Sequence, residues 1–313
     1  MALNFICTRR TVRYRFIFYS LWTLLFIGLG WVSNREEAAH FVGAVGLWYE
    51  PVLAGLVCGL LAGLLGLYMI WKRIVFVSLA ITQGAGFGIF LSFLMASFWG
   101  VSLEHSPLSF LAGLAMAIAT TFLFVSFRRS KKYADEVLVG LIYVISSGLI
   151  VLIGDRIAEG KHAIDNLLFG NAVAVTSDSL GLLVAIAAVI FALHWLFRRE
   201  FLYSSADTEF MQVSGVRVDA WLTLLYLTLT IGITISMKTL GSLPVFALMV
   251  IPPFIALKKA KSPVEAVLLS VFVGGVIPPL GYYFSFLYSF PTGASMILAG
   301  FLFLMASWLE SAF

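Results

Sequence analysis

Most of the polar side chains that could act on a solute lie inside long apolar runs. The run at residues 74–98 carries Ser78, Thr82 and Gln83. A polar group inside a membrane-spanning helix is a candidate functional group, because lipid offers it no hydrogen-bond partner. Thr82 and Gln83 lie deeper in the run than Ser78. We expect these two residues either to face a pore or to hydrogen-bond to a neighbouring helix.

Ionisable side chains within the apolar runs occur near the ends of those runs. His194 lies near the end of one run and Lys238 near the end of another. Side chains at such positions can extend to water, so we interpret both as structural. A further set of residues in predicted loops could contact a cation, namely Glu104, His105, Asp155, His162 and Asp165. Their spacing is loose, and solvated loop charge is the simpler interpretation.

Neither the two cysteines nor any of three common catalytic motifs indicates an enzymatic site. Cys7 and Cys58 have neither metal-site nor disulfide spacing. The sequence contains no GxxxxGK[ST] loop, no HExxH and no G-x-S-x-G. An ATP-driven process would therefore need an ATPase on another chain.

Two apolar runs each contain a set of three glycines. The first set, in the run 46–70, is Gly55, Gly59 and Gly63, and the second set, in the run 74–98, is Gly84, Gly86 and Gly88. The first set has one glycine every fourth residue, which predicts a close approach between two helices. The second set superficially resembles a nucleotide-binding loop. No strand precedes it and its flanks are apolar, so close helix packing or a kink is the better interpretation.

The composition is that of a membrane protein. Of 313 residues, 61% are hydrophobic and 12% are charged, and the mean hydropathy is +1.01. A bilayer core of roughly 30 Å requires about 20 apolar residues per helix. Ten runs meet this need: 16–33, 46–70, 74–98, 107–127, 137–154, 180–197, 219–237, 242–257, 264–288 and 292–310. They do not alternate in polarity, so we predict a single all-α membrane domain rather than a β-barrel.

The distribution of positive charge predicts the orientation. If the N-terminus is cytoplasmic, sixteen of the 20 Lys and Arg residues lie on the cytoplasmic side. Both termini are then predicted to be cytoplasmic. The positive residues form short clusters between apolar runs, which does not indicate a nucleic-acid-binding surface. The first run lacks a clear cleavage site, so we favour an uncleaved helix over a signal peptide; Arg9-Arg10 is a poor match to a twin-arginine signal.

Three further segments depart from a simple pattern of spans and short loops. Residues 155–179 lie outside but are apolar, so we expect them to pack back against the helices. Residues 198–218 lie inside with mixed charge and suit a short surface helix. The run at 242–257 is short and contains Pro244, Pro252 and Pro253. Prolines favour a broken helix that lines a cavity, or alternatively a kinked packing helix.

From Trp48 onward the sequence resembles the ABC-3 permeases, the membrane subunits of bacterial zinc, manganese and iron importers. Five segments carry the resemblance in the family's order: Pro51–Arg73, His162–Leu180, Asp207–Val216, Met237–Ala256 and Phe290–Leu298. They contain a first helix with a basic exit, an LFG-x-x-x-A-V loop, a D-x-E segment, a proline-rich helix and a P-T-G-A helix start. The domain organisation is then an added N-terminal helix with an outer loop at 1–47, followed by a permease domain at 48–313.

The resemblance implies a fold like that of the vitamin B12 importers (type II permeases) in the bacterial inner membrane. It also implies three kinds of partner: an ABC ATPase subunit, an extracytoplasmic substrate-binding protein, and a second permease copy or paralogue. The family's coupling segment, which docks into the ATPase, corresponds here to Asp207, Glu209 and Gly215. Acidic residues at a helix start and a glycine at its end suit such a helix.

The sequence departs from the family at one functional position. The family's transmembrane metal ligands are an Asp and a His four residues apart, which correspond here to Leu79 and Gln83. Leucine cannot bind a metal, and an amide is a weaker ligand than carboxylate or imidazole. Either the ion passes other groups, or the substrate differs, or a second permease supplies the ligands.

The sequence thus predicts an importer permease, without its own ATPase site or cofactor, whose substrate is a divalent metal ion. The alternatives are a permease for a metal chelate or a small organic solute, and a membrane scaffold that transports nothing. The candidate residues of the translocation path are Ser78, Thr82, Gln83, Pro244 and Pro252.

Overall fold

In a computed structural model, the structure describes residues 2–98, 107–129, 135–157, 160–170, 175–206 and 218–310. All regular structure in these ranges is α-helical. Ten of the helices are long and apolar enough to cross a membrane. All ten predicted spans are therefore confirmed as helices. Helices predominate because they satisfy every backbone hydrogen bond within one segment, which lipid requires.

Thirteen helices occur in the described ranges. They are α1 Ala2–Ser33, α2 Arg35–Gly43, α3 Val45–Trp71, α4 Val77–Phe98, α5 Pro107–Arg129, α6 Asp135–Gly154, α7 Gly160–Phe169, α8 Ser177–Leu196, α9 Arg198–Ala206, α10 Val218–Leu240, α11 Ser242–Lys259, α12 Pro263–Tyr288 and α13 Thr292–Glu310. The short helices α2, α7 and α9 do not span a membrane. Of these, α9 confirms the short helix predicted within 198–218 for residues 198–206, and residues 207–217 of that segment lie outside the described residues.

The chain forms two compact units. The first comprises Met1–Leu67, Ala172–Val184 and Ala247–Phe313. Within it, α12 packs against α1, α2 and α13. Glycines of α3 also contact α12: a Cβ on Gly59 would overlap the carbonyl oxygen of Gly274, and one on Gly63 would lie 2.5 Å from that of Ser270. The predicted close approach at the first glycine set is thus confirmed.

The second unit comprises Tyr68–Asn171 and Ala185–Phe246. Its central helix is α4, which packs against α5, α6 and α10. The second glycine set permits this packing, because a Cβ on Gly84 would overlap the Thr120 hydroxyl of α5 and one on Gly86 would meet Leu167 of α7. Leu167 belongs to an apolar cluster with Phe90 and residues of α6. The predicted packing of the outer segment against the helices is therefore correct for α7.

The run at 242–257 is not a broken helix. It forms the continuous helix α11, and the chain instead turns at Gly241, whose φ is +86°. Pro244 lies in the first turn, where the backbone N–H groups have no intrahelical acceptor, so its missing N–H costs little. Pro252 and Pro253 lie within the helix. Of the two alternatives, the structure therefore supports the packing helix, which continues through both prolines.

Candidate functional site

The candidate polar residues of α4 are all buried. Ser78 and Thr82 are almost fully inaccessible, and Gln83 is 5% exposed. Ser78 and Thr82 lie four residues apart and therefore share one face of the helix, while Leu79 and Gln83 share the adjacent face. Gln83 thus occupies a packed position in the central helix of the second unit, where an unpaired polar group is costly.

The hydroxyl groups on α4 are satisfied by their own helix. Ser78 donates a 2.8 Å hydrogen bond to the carbonyl of Val75. Thr82 donates a 2.9 Å bond to the carbonyl of Leu79. In contrast, the Gln83 carboxamide forms no hydrogen bond with any other residue that the structure describes. Gln83 is therefore the residue of this group that retains both donors and an acceptor for a solute or a partner.

Neither Leu79 nor Gln83 is part of a metal site in the described chain. Leu79 is half-buried and contributes only hydrocarbon. Within the described ranges, no three His, Cys, Asp or Glu residues lie close enough together to hold a metal ion. Asp155, His162 and Asp165 are exposed, as the interpretation of solvated charge predicts. Glu104 and His105 lie outside the described residues.

Threonines of α5 and α10 form a polar contact that the sequence analysis missed. The hydroxyls of Thr121 and Thr230 lie 2.7 Å apart and are buried. Each also approaches a carbonyl of its own helix, that of Ala117 at 2.9 Å and that of Tyr226 at 2.7 Å. Two protons must serve three contacts, so one hydroxyl donates to the other while its partner donates to a carbonyl. The high threonine content of residues 223–239 was the available signal.

The buried prolines Pro244 and Pro252 of α11 have different surroundings in the chain. Pro244 follows the tight turn at Gly241, which packs directly on the turn at Gly170. Both glycines have positive φ, +86° and +79° respectively. The motif that ends α7 and the motif that begins α11 therefore meet through their glycine backbones.

Pro252 is followed by Pro253, which lacks the N–H that would bond to the Met249 carbonyl. A Cβ on Gly66 of α3 would overlap that same carbonyl oxygen. The two helix backbones therefore approach closely where the proline pair has removed a regular hydrogen bond. Nothing in the contacts of Pro252 itself identifies it as a group that binds a solute.

His194 does not extend to water as the sequence analysis expected. It is 3% exposed, and its ring stacks on Phe201 with 4.1 Å between centroids. The error has a physical cause, since the Phe201 ring of α9 packs on the imidazole and covers it. Lys238 is exposed, as expected near a helix end, and its ammonium lies 5.1 Å from the centre of the Phe110 ring. The predicted coupling residues Asp207, Glu209 and Gly215 lie outside the described residues.

These features define a polytopic α-helical membrane protein of the transporter class. Ten helices in the described residues are long and apolar enough to span a membrane, and some of them carry buried polar side chains. Comparison with known proteins agrees with this class. Residues 47–310 match the ABC 3 transport family, and the chain belongs to that family. It is accordingly the membrane-spanning permease subunit of an ABC transporter, a multi-pass component of a larger complex.

Individual relatives cover most of the chain. The manganese transport system membrane protein MntC of Listeria monocytogenes is 25% identical over 80% of this chain and 85% of its own length. The high-affinity zinc uptake system membrane protein ZnuB of Buchnera aphidicola is 24% identical over 80% of this chain and 93% of its own. Among solved structures, PsaBC of Streptococcus pneumoniae has a TM-score of 0.74 at 21% identity, covering 86% of this chain and 95% of that one. The last similarity shows a shared fold.

Proposed function

We propose that this permease imports a divalent metal ion of the manganese and zinc class. The observation that carries the proposal is the family match across residues 47–310, which includes nine of the ten spanning helices. Relatives named as manganese and zinc permeases support this substrate class. Energy comes from ATP hydrolysis on a separate ATPase, because the sequence has no P-loop of its own.

The assembly that we propose has four kinds of component: this chain, a second permease copy or paralogue, an ABC ATPase and an extracytoplasmic substrate-binding protein. The permease lies in a bacterial inner membrane with both termini in the cytoplasm, a proposal supported by the one-sided distribution of Lys and Arg. The ATPase docks on the segment that contains Asp207, Glu209 and Gly215. Residues 1–47 form an addition to the permease domain at 48–313.

Gln83 is the residue of the path that we expect to contact the substrate. The sequence resemblance aligns it with the family's histidine ligand, and its amide has no partner among the described residues. A neutral amide oxygen binds a cation weakly and exchanges it rapidly, which suits a conduit that must release what it binds. Ser78 and Thr82 have a lesser role, since their hydroxyls already bond to their own helix.

A metal chelate or a small organic solute is the second candidate substrate. The Gln83 amide in the place of the family's histidine favours this second candidate. A carboxamide readily hydrogen-bonds to an organic ligand, whereas it is a weaker ligand for a bare metal ion than carboxylate or imidazole. A scaffold that transports nothing assigns no role to the Gln83 amide, which has no hydrogen-bond partner among the described residues.

The proposal is tested by deleting the gene and starving the cells of manganese, zinc and iron in turn. Cell-associated metal is then measured by elemental analysis, with a complemented strain as control and with related importers also deleted. A selective loss that complementation reverses is the expected result. If no metal changes, the metal assignment is wrong and chelates or organic solutes become the substrate to test.

Variants of α4 test the site separately from the substrate. Leu79→Asp together with Gln83→His restores the family's two ligands, and we expect it to change the metal preference or the rate of uptake. Ser78→Ala is the matched control, because its hydroxyl is saturated by the helix backbone. If the double variant transports as the wild type does, this face of α4 does not contact the substrate.

A further inference from the structure

The buried side chain of Phe201 joins the short helix α9 to three membrane-spanning helices. Its ring stacks on the His194 imidazole of α8, with 4.1 Å between centroids and 11° between planes. It meets Trp221 of α10 edge-on at 5.7 Å. Its centroid also lies 6.1 Å from that of Tyr68 in α3. We refer to Phe201, His194, Trp221 and Tyr68 as the aromatic joint.

The histidine of the joint is held in one orientation. Its Nδ1 lies 2.9 Å from the carbonyl oxygen of Ile190. A carbonyl can only accept, so Nδ1 is the donor in this geometry. The Nε2 atom is buried and finds no hydrogen-bond partner among the described residues. Here the imidazole therefore acts as a flat packing surface, in contact with both Phe201 and Tyr68.

Backbone carbonyl groups of α9 also accept hydrogen bonds from side chains. The hydroxyls of Ser204 and Ser205 both donate to the carbonyl of Phe201, at 3.0 Å and 2.8 Å. The ammonium of Lys72, just beyond the end of α3, donates a 3.2 Å hydrogen bond to the carbonyl of Ser204. Helix α9 is thus attached through Ser204 to Lys72, just beyond the end of α3, by a charged hydrogen bond, and through Phe201 to three helices by the joint.

We propose that the aromatic joint transmits movement between the ATPase-docking segment and the membrane-spanning helices. Helix α9 ends at Ala206, immediately before the segment that begins at Asp207. Close-packed rings resist compression, so a displacement of α9 moves His194, Trp221 and Tyr68 together instead of being absorbed locally. Phe201 and His194 are accordingly positioning residues for transport. This inference rests on the proposed function, in which residues 207–215 receive the ATPase.

The test uses the full complex, with its ATPase and binding protein, reconstituted in lipid vesicles. ATP hydrolysis and uptake of Mn²⁺ and Zn²⁺ are measured together, and the readout is the amount of metal transported per ATP hydrolysed. Phe201→Leu and His194→Leu remove one ring of the stack. We expect each to lower the ratio by about tenfold, while the ATPase still co-purifies. His194→Phe keeps a ring at this position, and we expect a ratio near that of the wild type.

Phe124→Leu is the matched control for a general loss of stability. Phe124 is also a buried ring of the second unit, and it packs on Tyr226 of α10 with 6.0 Å between ring centroids. We expect this variant to keep the wild-type ratio. The inference is overturned if Phe124→Leu lowers the ratio as much as Phe201→Leu does. It is also overturned if His194→Phe behaves as His194→Leu does.

If Phe201→Leu fails to fold, the comparison of His194→Leu with His194→Phe still tests the inference. Both substitutions remove Nε2, but only His194→Phe keeps an aromatic ring. Failure of the proposed function gives a different result: the wild-type complex then shows no ATP-dependent uptake of either metal, which overturns both the function and the inference. A wild type that transports, with variants that keep the ratio, overturns the inference alone.

Discussion

The Ser270 hydroxyl donates a 2.6 Å hydrogen bond to the backbone carbonyl of Gly63. The bond joins α12 to α3 where the two backbones touch, since a Cβ on Gly63 would lie 2.5 Å from the carbonyl oxygen of Ser270. Small residues allow the approach, and the approach brings the polar groups within bonding distance. The contact lies within the first unit and involves two helices that belong to the family's matched region.

Substituting alanine for Gly63 should therefore destabilise the protein. The added methyl group must push the two backbones apart, at a cost of about 1–3 kcal/mol. The midpoint of thermal unfolding in detergent measures the effect. Gly28→Ala in α1 is the control, because nothing lies within 4 Å of its Cβ position. Equal midpoints for the two variants would show that α3 and α12 are not closely packed at this point.

Gly241→Ala should be destabilising for two reasons. An L-residue at its φ of +86° costs about 1–2 kcal/mol, and the new Cβ would overlap the backbone at Gly170. Gly148→Ala in α6, where the Cβ meets nothing, should leave the unfolding temperature unchanged. Gly170→Ala disturbs the same contact, so the double variant should lose less stability than the sum of the two single losses. Additive losses would contradict a shared contact.

The ion pair between Arg15 and Glu265 should hold α1 against α12. The side chain of Glu265 is 2% exposed and that of Arg15 13% exposed. Arg15→Met leaves a buried carboxylate without its partner, which should destabilise the protein by about 3 kcal/mol. Adding Glu265→Gln removes the charge while the amide oxygen can still accept from the Lys261 N–H, a bond that Glu265 makes at 2.9 Å. We expect the double variant to unfold at a higher temperature than Arg15→Met alone.

The contact between Thr121 and Thr230 should be measurable as a coupling energy. Thr121→Val, Thr230→Val and the double variant form a double-mutant cycle in the free energy of unfolding. Hydrogen bonds between membrane helices average about 0.6 kcal/mol in such cycles, and we expect a value of that order. Thr223→Val is the control, since its hydroxyl donates to the Asp219 carbonyl of its own helix. Zero coupling would show that the two hydroxyls do not bond to each other in the membrane.

The polar residues of α4 should differ in their effect on transport. Gln83→Leu removes the amide that has no partner among the described residues, and loss of one substrate hydrogen bond should slow uptake by about tenfold. Ser78→Ala and Thr82→Val remove hydroxyls that bond to their own helix, so uptake should stay close to that of the wild type. Uptake of Mn²⁺ and Zn²⁺ into vesicles measures all three variants. If Thr82→Val is the slow one, the path runs along its face of the helix instead.

The sequence alone determined the spanning helices, because lipid leaves a long apolar run no alternative to an internally hydrogen-bonded helix. It also identified the glycine contacts and the family. The tertiary structure decided what surrounds each polar group. His194 was expected near water, but α9 folds over it, and its aromatic neighbours Tyr68 and Phe201 come from different helices.

The same limit applies to α11 and to the threonine contact. The prolines of 242–257 were compatible with either a broken helix or a kinked packing helix, and the packing of Gly241 on Gly170 places the turn before the helix begins. Thr121 and Thr230 each look like ordinary helix residues in the sequence, and only the pairing of α5 with α10 brings their hydroxyls together. Helix formation in a membrane depends on local composition, whereas the partner of a buried polar group depends on contacts between segments that are far apart in the chain.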